Sequence, residues 1–408
     1  MDLIALAVPF FLLAIIVELM IDRARNKGLF RANDAINSMS AGILSTTTGY
    51  FTKFLQFVIW GFVLQNFALI DMPLSWFDTS LQGIALWVTA AIAWDLCYYW
   101  FHRFSHEISI LWAAHAVHHQ SEDYNLSTAL RQTSTGFLIG WIFYLPLFLI
   151  GFPLEVLITV NAINLIYQFW VHTQTVRRLG ALDYILVTPS NHRVHHAQNE
   201  RYIDKNYGGM LILWDRMFGT FEDEHDDEPV VFGVRKPLAS WNPFWANLQV
   251  YDYLLFDARK TARWRDKIGV WFRRTGWRPA DVAVQYPKPP TDLAHFAKFN
   301  SAPGPGIRYY VMAQFVVVLL LTLAIGRMFA TTGSEGVLVP CVMLWVQLWT
   351  IGMLNEGREY AFRAELARLL VVVPVGAAAQ QEAFWPVVIA YTGLSLTWLV
   401  ILKVYYKQ

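Results

Sequence analysis

Three short histidine clusters stand out in this 408-residue chain. They read HRFSH at 102–106, HAVHH at 115–119 and HRVHH at 192–196, and a further histidine, His172, lies in the string FWVHTQ. Nine of the 11 histidines therefore fall in one stretch of the chain, far more than an even spread would place there. Neutral imidazole nitrogens are common ligands of transition metals. The clustering predicts a metal site rather than scattered surface histidines.

The spacing within each cluster also favours shared metal binding. Residues three or four apart lie on one face of an α-helix, so each HxxxH or HxxHH cluster presents its imidazoles together. Packed imidazoles repel when protonated and need partners when buried, and a shared cation removes both problems. Nine histidines are too many for one ion and enough for two. Imidazole suits iron, zinc, copper or nickel, so the residues alone leave the metal open.

Other metal and nucleotide motifs do not fit. A structural zinc site needs four ligands, usually including cysteine. The two cysteines, Cys97 and Cys341, lie in apolar segments, where we interpret them as small hydrophobic residues. His106 and Glu107 would begin an HExxH zinc-protease motif, but position 110 is isoleucine. The chain contains no Walker loop and no GxGxxG string.

The elements that must position these histidines are predicted to be membrane helices. The chain is 55% hydrophobic and 15% charged, against roughly 25% charged residues in soluble globular proteins. A membrane-spanning helix needs about 20 mostly apolar residues, and the candidate segments are 3–20, 51–70, 81–100, 136–152, 154–171, 308–330, 336–354, 366–382 and 384–403. The predicted fold class is all-α, a polytopic membrane protein of about nine transmembrane helices. A net charge of +1 argues against a nucleic-acid partner.

The basic residues predict the orientation in the membrane. Lysine and arginine are frequent after the first span and throughout 172–305, whereas the loop 71–80 has none. The positive-inside rule therefore places 172–305 in the cytoplasm. The first segment lacks the basic start and the cleavage site of a signal peptide and is expected to stay as an anchor. The pair 136–152 and 154–171 forms either two spans or a hairpin that returns to the same side. The histidines then form a helical, metal-binding cap at the cytoplasmic face.

HxxxH followed by two HxxHH clusters in a polytopic chain resembles the membrane fatty acid hydroxylase/sterol desaturase superfamily. Three longer strings resemble the alkylglycerol monooxygenase family within it. They are HRFSHEISILWAAHAVHHQSEDYNLSTALRQ at 102–132, FWVHTQ at 169–174 and TPSNHRVHHAQNERYIDKNYGGMLILWDRMFGTFEDE at 188–224. The resemblance covers most of the chain and is strongest over 95–225.

The resemblance implies two iron ions that activate O2 and oxidise a lipid. The ligands that it implies are His102, His106, His115, His118, His119, His192, His195 and His196, with His172 as a ninth. Glu107 matches a functional residue of the family and is expected to fix the tautomer of a ligand imidazole. The resemblance also implies tetrahydrobiopterin as the reductant, although no stretch shows a pterin pocket. Other branches of the superfamily use an external electron donor.

The predicted domains follow from the spans and from this resemblance. They are N-terminal transmembrane helices at 1–101, a di-iron hydroxylase core at 102–225 with a helical hairpin at 136–171, a cytoplasmic segment at 226–305, and C-terminal transmembrane helices at 306–408.

Asp95 is a second catalytic candidate. It lies inside an apolar span, where an ionisable residue is costly and commonly functional. It precedes His102 by seven residues, two helical turns, and is expected to hydrogen-bond a ligand imidazole or Tyr99. Asn191 stands where related sequences carry histidine, so a tenth ligand is either absent or replaced by a water that the amide holds. Four further polar residues are expected either to support the site or to cap helices: Asn125, Asp204, Lys205 and Asn206.

The predicted reaction is O2-dependent hydroxylation of an unactivated C–H bond in a membrane lipid, next to the ether oxygen of an alkylglycerol. A fatty acyl, sterol or carotenoid hydroxylase or desaturase is the alternative enzyme. A histidine-based membrane metal carrier is the alternative from another class, but transport histidines should lie near the bilayer midplane. The C-terminal sequence lacks a dilysine-type signal, which favours a bacterial inner membrane over the endoplasmic reticulum. The exact lipid, the electron donor and the oligomeric state stay open.

Overall fold

A computed structural model describes residues 3–289, 291–301, 303–378 and 385–405. Within these residues the chain is helical, and its only β pairs are isolated bridges. The helices are α1 Leu3–Arg25, α2 Ala32–Phe67, α3 Leu81–Glu107, α4 Ser109–His119, α5 Leu126–Ala129, α6 Leu145–Ile150, α7 Leu154–Trp170, α8 Pro189–His195, α9 Leu213–Phe218, α10 Pro243–Lys260, α11 Trp264–Phe272, α12 Ala280–Gln285, α13 Pro305–Asn355, α14 Glu359–Ala378 and α15 Trp385–Tyr405. The all-α prediction is confirmed.

Four helices among the described residues are long and apolar enough to cross a membrane. They are α1, α3, α13 and the Pro386–Val404 part of α15. Large apolar side chains along α1 are exposed, including Phe10, Leu13 and Met20. Exposed apolar stripes of this kind are what a bilayer covers. The chain is therefore an integral membrane protein.

Helix α13 contains two of the predicted spans, 308–330 and 336–354. Gly333 interrupts it with a left-handed φ of 68°, and the Gln347 side chain donates to the backbone carbonyl of Gln314 (Nε2···O 3.3 Å). In a straight helix these two residues would be about 50 Å apart. The two halves therefore fold back and lie side by side.

The remaining predicted spans correspond only in part to long apolar helices. Segment 51–70 falls largely in the second half of α2, and 366–382 begins in α14 and ends outside the described residues. The pair at 136–171 forms the shorter apolar helices Gly140–Ile150 and Leu154–Trp170. The 17 residues of α7 extend about 25 Å, less than the roughly 30 Å of bilayer hydrocarbon. These lengths favour the hairpin; the number of nine spans and the orientation stay predictions.

The chain forms two compact units. One comprises Met1–Ser45, Thr52–Leu238 and Asn247–Ala297 and contains all nine clustered histidines, and the other comprises Thr46–Phe51, Ala239–Ala246 and Lys298–Gln408. The four predicted domains, with boundaries after residues 101, 225 and 305, stay predictions.

An aromatic core inside the first unit packs the hairpin against α3. Trp60 stacks on Phe148 with ring centroids 5.0 Å apart, and Trp94 of α3 stacks on Tyr144 at 4.1 Å. Stacked aromatic pairs of this kind contribute about 0.5–1.5 kcal/mol each beyond the apolar area they bury. The packing fixes the helix that carries the first histidine cluster.

A break at Ile108 separates α3 from α4. Ile108 is extended (φ −113°, ψ 125°), and residues 273–275 hold it there: Ser109 N donates to Arg273 O and Thr275 N donates to Glu107 O, both at 3.1 Å. A continuous helix would carry residue 119 about 20 Å beyond residue 106. The break instead turns α4 back, so that the rings of His106 and His119 lie 4.7 Å apart.

Two buried carboxylates hold the loop 207–211 beside α3. Asp215 accepts hydrogen bonds from the first two amides of the loop at 2.7 and 2.8 Å. Asp95 accepts from the last two at 2.8 and 3.0 Å. Between them lies Gly209, where a Cβ atom would come within 2.8 Å of Asp95 Oδ1 and of the Tyr98 ring. Only glycine lets the loop approach α3 this closely.

We expect Gly209→Ala to destabilise the protein by about 1–3 kcal/mol, because the added methyl group overpacks a buried contact. The measurement is the midpoint of thermal unfolding of the detergent-solubilised protein. Gly61→Ala is the control, since a Cβ atom there would meet nothing within 4 Å. Equal midpoints for the two variants would contradict the close approach.

Candidate metal centre

The nine predicted histidines come together in two groups. The first group is His102, His106, His115, His119 and His195, and the second is His118, His172, His192 and His196. Within each group the ligand nitrogens all lie within 4.8 Å of one another. Nitrogens about 2.1 Å from one ion are about 3.0 Å apart when adjacent and about 4.2 Å apart when opposite. Each group therefore fits one metal ion.

Each HxxHH cluster contributes to both groups. In the cluster at 115–119, the two histidines four residues apart belong to the first group, and His118 belongs to the second. In the cluster at 192–196 the assignment is reversed, and His195 joins the first group. Neighbouring residues of an α-helix point about 100° apart, so adjacent histidines address different ions. The spacing predicts that the clusters converge, but not this division.

Backbone carbonyls fix the tautomers of four of these imidazoles. The Nδ1 atoms of His102, His118, His172 and His195 lie 2.8, 2.9, 2.8 and 3.0 Å from the carbonyl oxygens of Tyr207, Arg131, Gln168 and Lys205, respectively. A carbonyl oxygen only accepts, so each Nδ1 carries the proton and each Nε2 keeps a lone pair. His118 and His172 nevertheless place their Nε2 atoms 3.1 Å apart. Two lone pairs at this distance repel unless a cation binds both, so the residues fit a metal.

Burial keeps the imidazoles neutral. It lowers the pKa of His118 to about 4. Burial, and then the neighbouring histidines, lower the pKa values of His119 and His196 well below the ordinary value. Neutral imidazole is the metal-binding form. Within the part of the chain that the structure describes, the Nε2 atoms of His106 and His195 are buried without a hydrogen-bond partner. Because buried polar atoms normally have a partner, these two nitrogens are available to bind a metal.

Arg131 supports the second group and was not singled out by sequence reasoning. It is 1% exposed. Its guanidinium donates to Val117 O at 2.6 Å and to Gln120 Oε1 at 3.1 Å, and it also bonds the side chain of Asn37. Its own carbonyl accepts from His118. The arginine therefore connects α2 to the end of α4 and orients His118. Neither its residue type nor its position in the sequence predicts this role.

Of the four polar residues with two open interpretations, one, Lys205, contacts a clustered histidine directly, and two others flank it in the chain. Asp204 and Asn206 adopt left-handed φ values of 59° and 56°, which their short polar side chains tolerate. They flank Lys205, whose carbonyl accepts from His195. Asn125 instead caps α5 as part of a capping box.

The expected hydrogen bond from Asp95 to a ligand imidazole or to Tyr99 is wrong. Besides the two loop amides, Asp95 accepts from Asn164 Nδ2 at 2.8 Å and from Trp214 Nε1 at 3.0 Å. Seven residues bring Asp95 onto the face of His102 but leave it about 10 Å away along the axis. Asp95 instead acts through the loop 207–211, whose first carbonyl accepts from His102.

Glu107 differs from expectation, whereas Asn191 agrees with one of its two alternatives. The Glu107 carboxylate pairs with Arg103 (Nε···Oε1 3.1 Å) one turn back on α3, and the expected bond to an imidazole is not formed. The Asn191 amide accepts from Thr188 Oγ1 at 2.9 Å and donates to Asp183 O at 3.1 Å. Both its oxygen and its nitrogen bond protein groups, and the residue belongs to neither histidine group, which fits the alternative in which the tenth ligand is absent.

Tyr207 is a further candidate that sequence reasoning missed. Its side chain is buried, with the ring centroid 5.4 Å from that of His106 and 6.0 Å from those of His102 and His195. Its hydroxyl has no hydrogen-bond partner among the described residues, although a buried hydroxyl normally has one. The tyrosine lies in the quoted NYGG string, but nothing in the string marks its hydroxyl.

We expect His192→Ala to lower the metal content of the purified protein from two ions per chain toward one, because only the second group loses a ligand. Inductively coupled plasma mass spectrometry measures the content. His295→Ala is the control, since that side chain is 85% exposed and lies outside both groups. A metal content in His192→Ala equal to that of the control would contradict the grouping.

Comparison with known proteins places this site in a family. Residues 87–220, which contain all nine histidines, match the family model described as fatty acid hydroxylase. Human alkylglycerol monooxygenase is 35% identical over 372 residues, 91% of this chain and 81% of the human protein. The same enzyme of Danio rerio is 35% identical over 371 residues, 90% of this chain and 80% of that protein.

A bacterial relative matches a shorter region. Ornithine lipid hydroxylase OlsE of Rhizobium tropici is 35% identical over 143 residues, 35% of this chain and 43% of that protein. No solved structure matches the chain. The chain belongs to the fatty acid hydroxylase/sterol desaturase superfamily and, within it, to the alkylglycerol monooxygenase family, and it is an oxidoreductase that hydroxylates lipids.

Proposed function

We propose that this chain is a di-iron membrane monooxygenase that hydroxylates the carbon next to the ether oxygen of alkylglycerol lipids. The observation that carries the proposal is the set of neutral imidazoles in two groups, above all the 3.1 Å approach of the Nε2 atoms of His118 and His172. Imidazole suits several metals, but zinc has no redox chemistry. The monooxygenase relatives favour iron and O2.

All nine histidines are proposed as iron ligands: five imidazoles for the first ion and four for the second. When bound, the two ions supply the electrons and the binding positions that activate O2. The protein holds the ligands, orients the lipid and keeps the site dry. The Tyr207 hydroxyl is buried beside the first group without a partner among the described residues, and it would be able to donate a hydrogen bond to a group bound there.

The overall reaction balances with one O2, two electrons and two protons. One oxygen atom enters the C–H bond next to the ether oxygen, and the other leaves as water. The product is a hemiacetal, whose C–O bond breaks to give a fatty aldehyde and a glycerol. Tetrahydrobiopterin is the proposed electron source by family resemblance, and an external donor protein is the alternative.

The substrate is proposed to enter from the bilayer. His102 and His106 lie in the last turns of the membrane-spanning helix α3, so the metal groups lie where that helix leaves the membrane. An amphiphile suits this position, with its head group in the polar segment and its chain among the helices. The basic residues in 172–305 favour the cytoplasmic face, and a core at 102–225 contains all the proposed ligands.

Acyl-chain hydroxylation is the second candidate function, because the partial match to ornithine lipid hydroxylase spans 35% of the chain. The test is reconstitution of the iron-loaded protein in vesicles with O2, tetrahydrobiopterin and a labelled 1-O-alkylglycerol. We expect an O2-dependent fatty aldehyde that disappears without the pterin. A hydroxylated acyl chain from a matched monoacylglycerol, with no aldehyde from the ether, would favour the second candidate. Less than one iron per chain and no O2-dependent product would contradict both.

We expect Tyr207→Phe to keep its metal content and to lower kcat about 10- to 100-fold, because one hydrogen bond to a charged group contributes about 1.5–3 kcal/mol. Tyr202→Phe is the matched control, since it removes another buried phenol whose hydroxyl donates to Glu228 O at 3.0 Å. Unchanged turnover in Tyr207→Phe, or equal loss in the control, would contradict this role.

A further inference from the structure

An exposed apolar surface on α11 has no part in the proposed reaction. Trp264, Ile268 and Phe272 are 78%, 61% and 63% exposed. They are spaced four residues apart and therefore form one stripe along the helix. Leu255 of α10 extends this stripe across a shallow groove of about 550 Å³. We call these four side chains the α11 surface.

The α11 surface is surrounded by positive charge. The stretch 259–274 carries seven basic residues and a single acidic one, Asp266. Arg259 and Lys267 line the groove itself, and Arg263 and Arg265 are exposed. An apolar stripe of Trp, Ile and Phe flanked by basic residues is typical of a helix that lies in a membrane interface.

Covalent and hydrogen-bonded connections place α11 next to the end of a membrane-spanning helix. The helix ends at Phe272, and the next three residues bond directly to the α3–α4 break: Ser109 N donates to Arg273 O, and Thr275 N donates to Glu107 O. Glu107 is the last residue of α3. The α11 surface is therefore attached where the chain leaves the bilayer.

We propose that α11 is an interfacial helix that binds the surface of an anionic bilayer. Trp264, Ile268 and Phe272 lie in the boundary between head groups and acyl chains, and the flanking arginines contact lipid phosphates. Each basic residue near an anionic surface contributes about 1 kcal/mol, and tryptophan favours this depth. Part of the predicted cytoplasmic segment 226–305 is then a membrane anchor.

The anchor sets the depth of the metal centre. The bonds between residues 273–275 and the α3–α4 break are the ones that turn α4 back, which brings His115 and His119 to His106. A helix fixed in the interface therefore holds this break at the lipid surface. The inference depends on the geometry of the first unit and not on which lipid is oxidised.

Site-directed spin labelling tests the proposal on the full-length protein in vesicles. Labels at Ile268→Cys and Phe272→Cys are placed in a Cys97→Ala, Cys341→Ala background. The measurement compares collision with O2, which enriches in lipid, and with a water-soluble nickel chelate. We expect both labels to lie about 5–10 Å into the interface. Leu13→Cys, exposed on α1, marks the lipid limit, and Asp226→Cys, fully exposed beside an acidic string, marks the aqueous limit.

A second experiment tests whether binding to the bilayer requires the basic residues. Arg263→Glu with Arg265→Glu should shift the Ile268 label toward water in vesicles that contain phosphatidylglycerol, whereas Arg263→Lys with Arg265→Lys should not. Quenching of Trp264 by lipids with brominated chains, relative to Trp264→Phe, repeats the test with the native cysteines in place. Labels that match Asp226→Cys, together with an unquenched Trp264, would overturn the proposal. Spin–spin broadening that vanishes on dilution with unlabelled protein would assign the surface to a second copy instead.

Discussion

Seven of the nine clustered histidines place ring nitrogens 3.0–3.2 Å apart, and lone pairs that meet at this distance repel unless positive charge lies between them. The rest of the structure depends on this constraint. Carbonyl oxygens hold the Nδ1 protons of His118 and His172, so neither ring can turn its N–H toward the other to relieve the repulsion. Burial also disfavours protonation, which would supply the charge in another way. Metal binding and the stability of this core are therefore coupled.

The scaffold positions the ligands through backbone groups. Asp95 and Asp215 are both buried, and burial raises the pKa of Asp215 to about 6. Each carboxylate accepts hydrogen bonds from backbone amides of the loop 207–211. The carbonyl of Tyr207, in the same loop, accepts a hydrogen bond from His102. Carboxylate, amide, carbonyl and imidazole thus form one chain of contacts. Such networks are strong when every member is satisfied and costly when one is removed.

Much of the site could be predicted from the sequence, because helical spacing reports the direction in which a side chain points. That information is angular, and it is why each of the three clusters could be expected to present its imidazoles together; the family resemblance, not the spacing, implied the full ligand set with His172. The angular information does not say how far along the axis two groups lie, which is why Asp95 could be placed on the face of His102 but not at its true distance. The same spacing places Arg103 one turn before Glu107, and the structure shows that these two side chains pair. Tyr207 and Arg131 act through a hydroxyl and a carbonyl, which residue spacing does not reveal.

Imidazole ligands are neutral, so any compensation of positive charge at this site must come from the surrounding carboxylates. The two divalent ions of the proposed centre would keep their full positive charge among neutral ligands in a buried site, and buried charge needs compensation. Asp95 and Asp215 lie one loop away from His102. Acids at this distance lower the cost of burying the ions without occupying their binding positions.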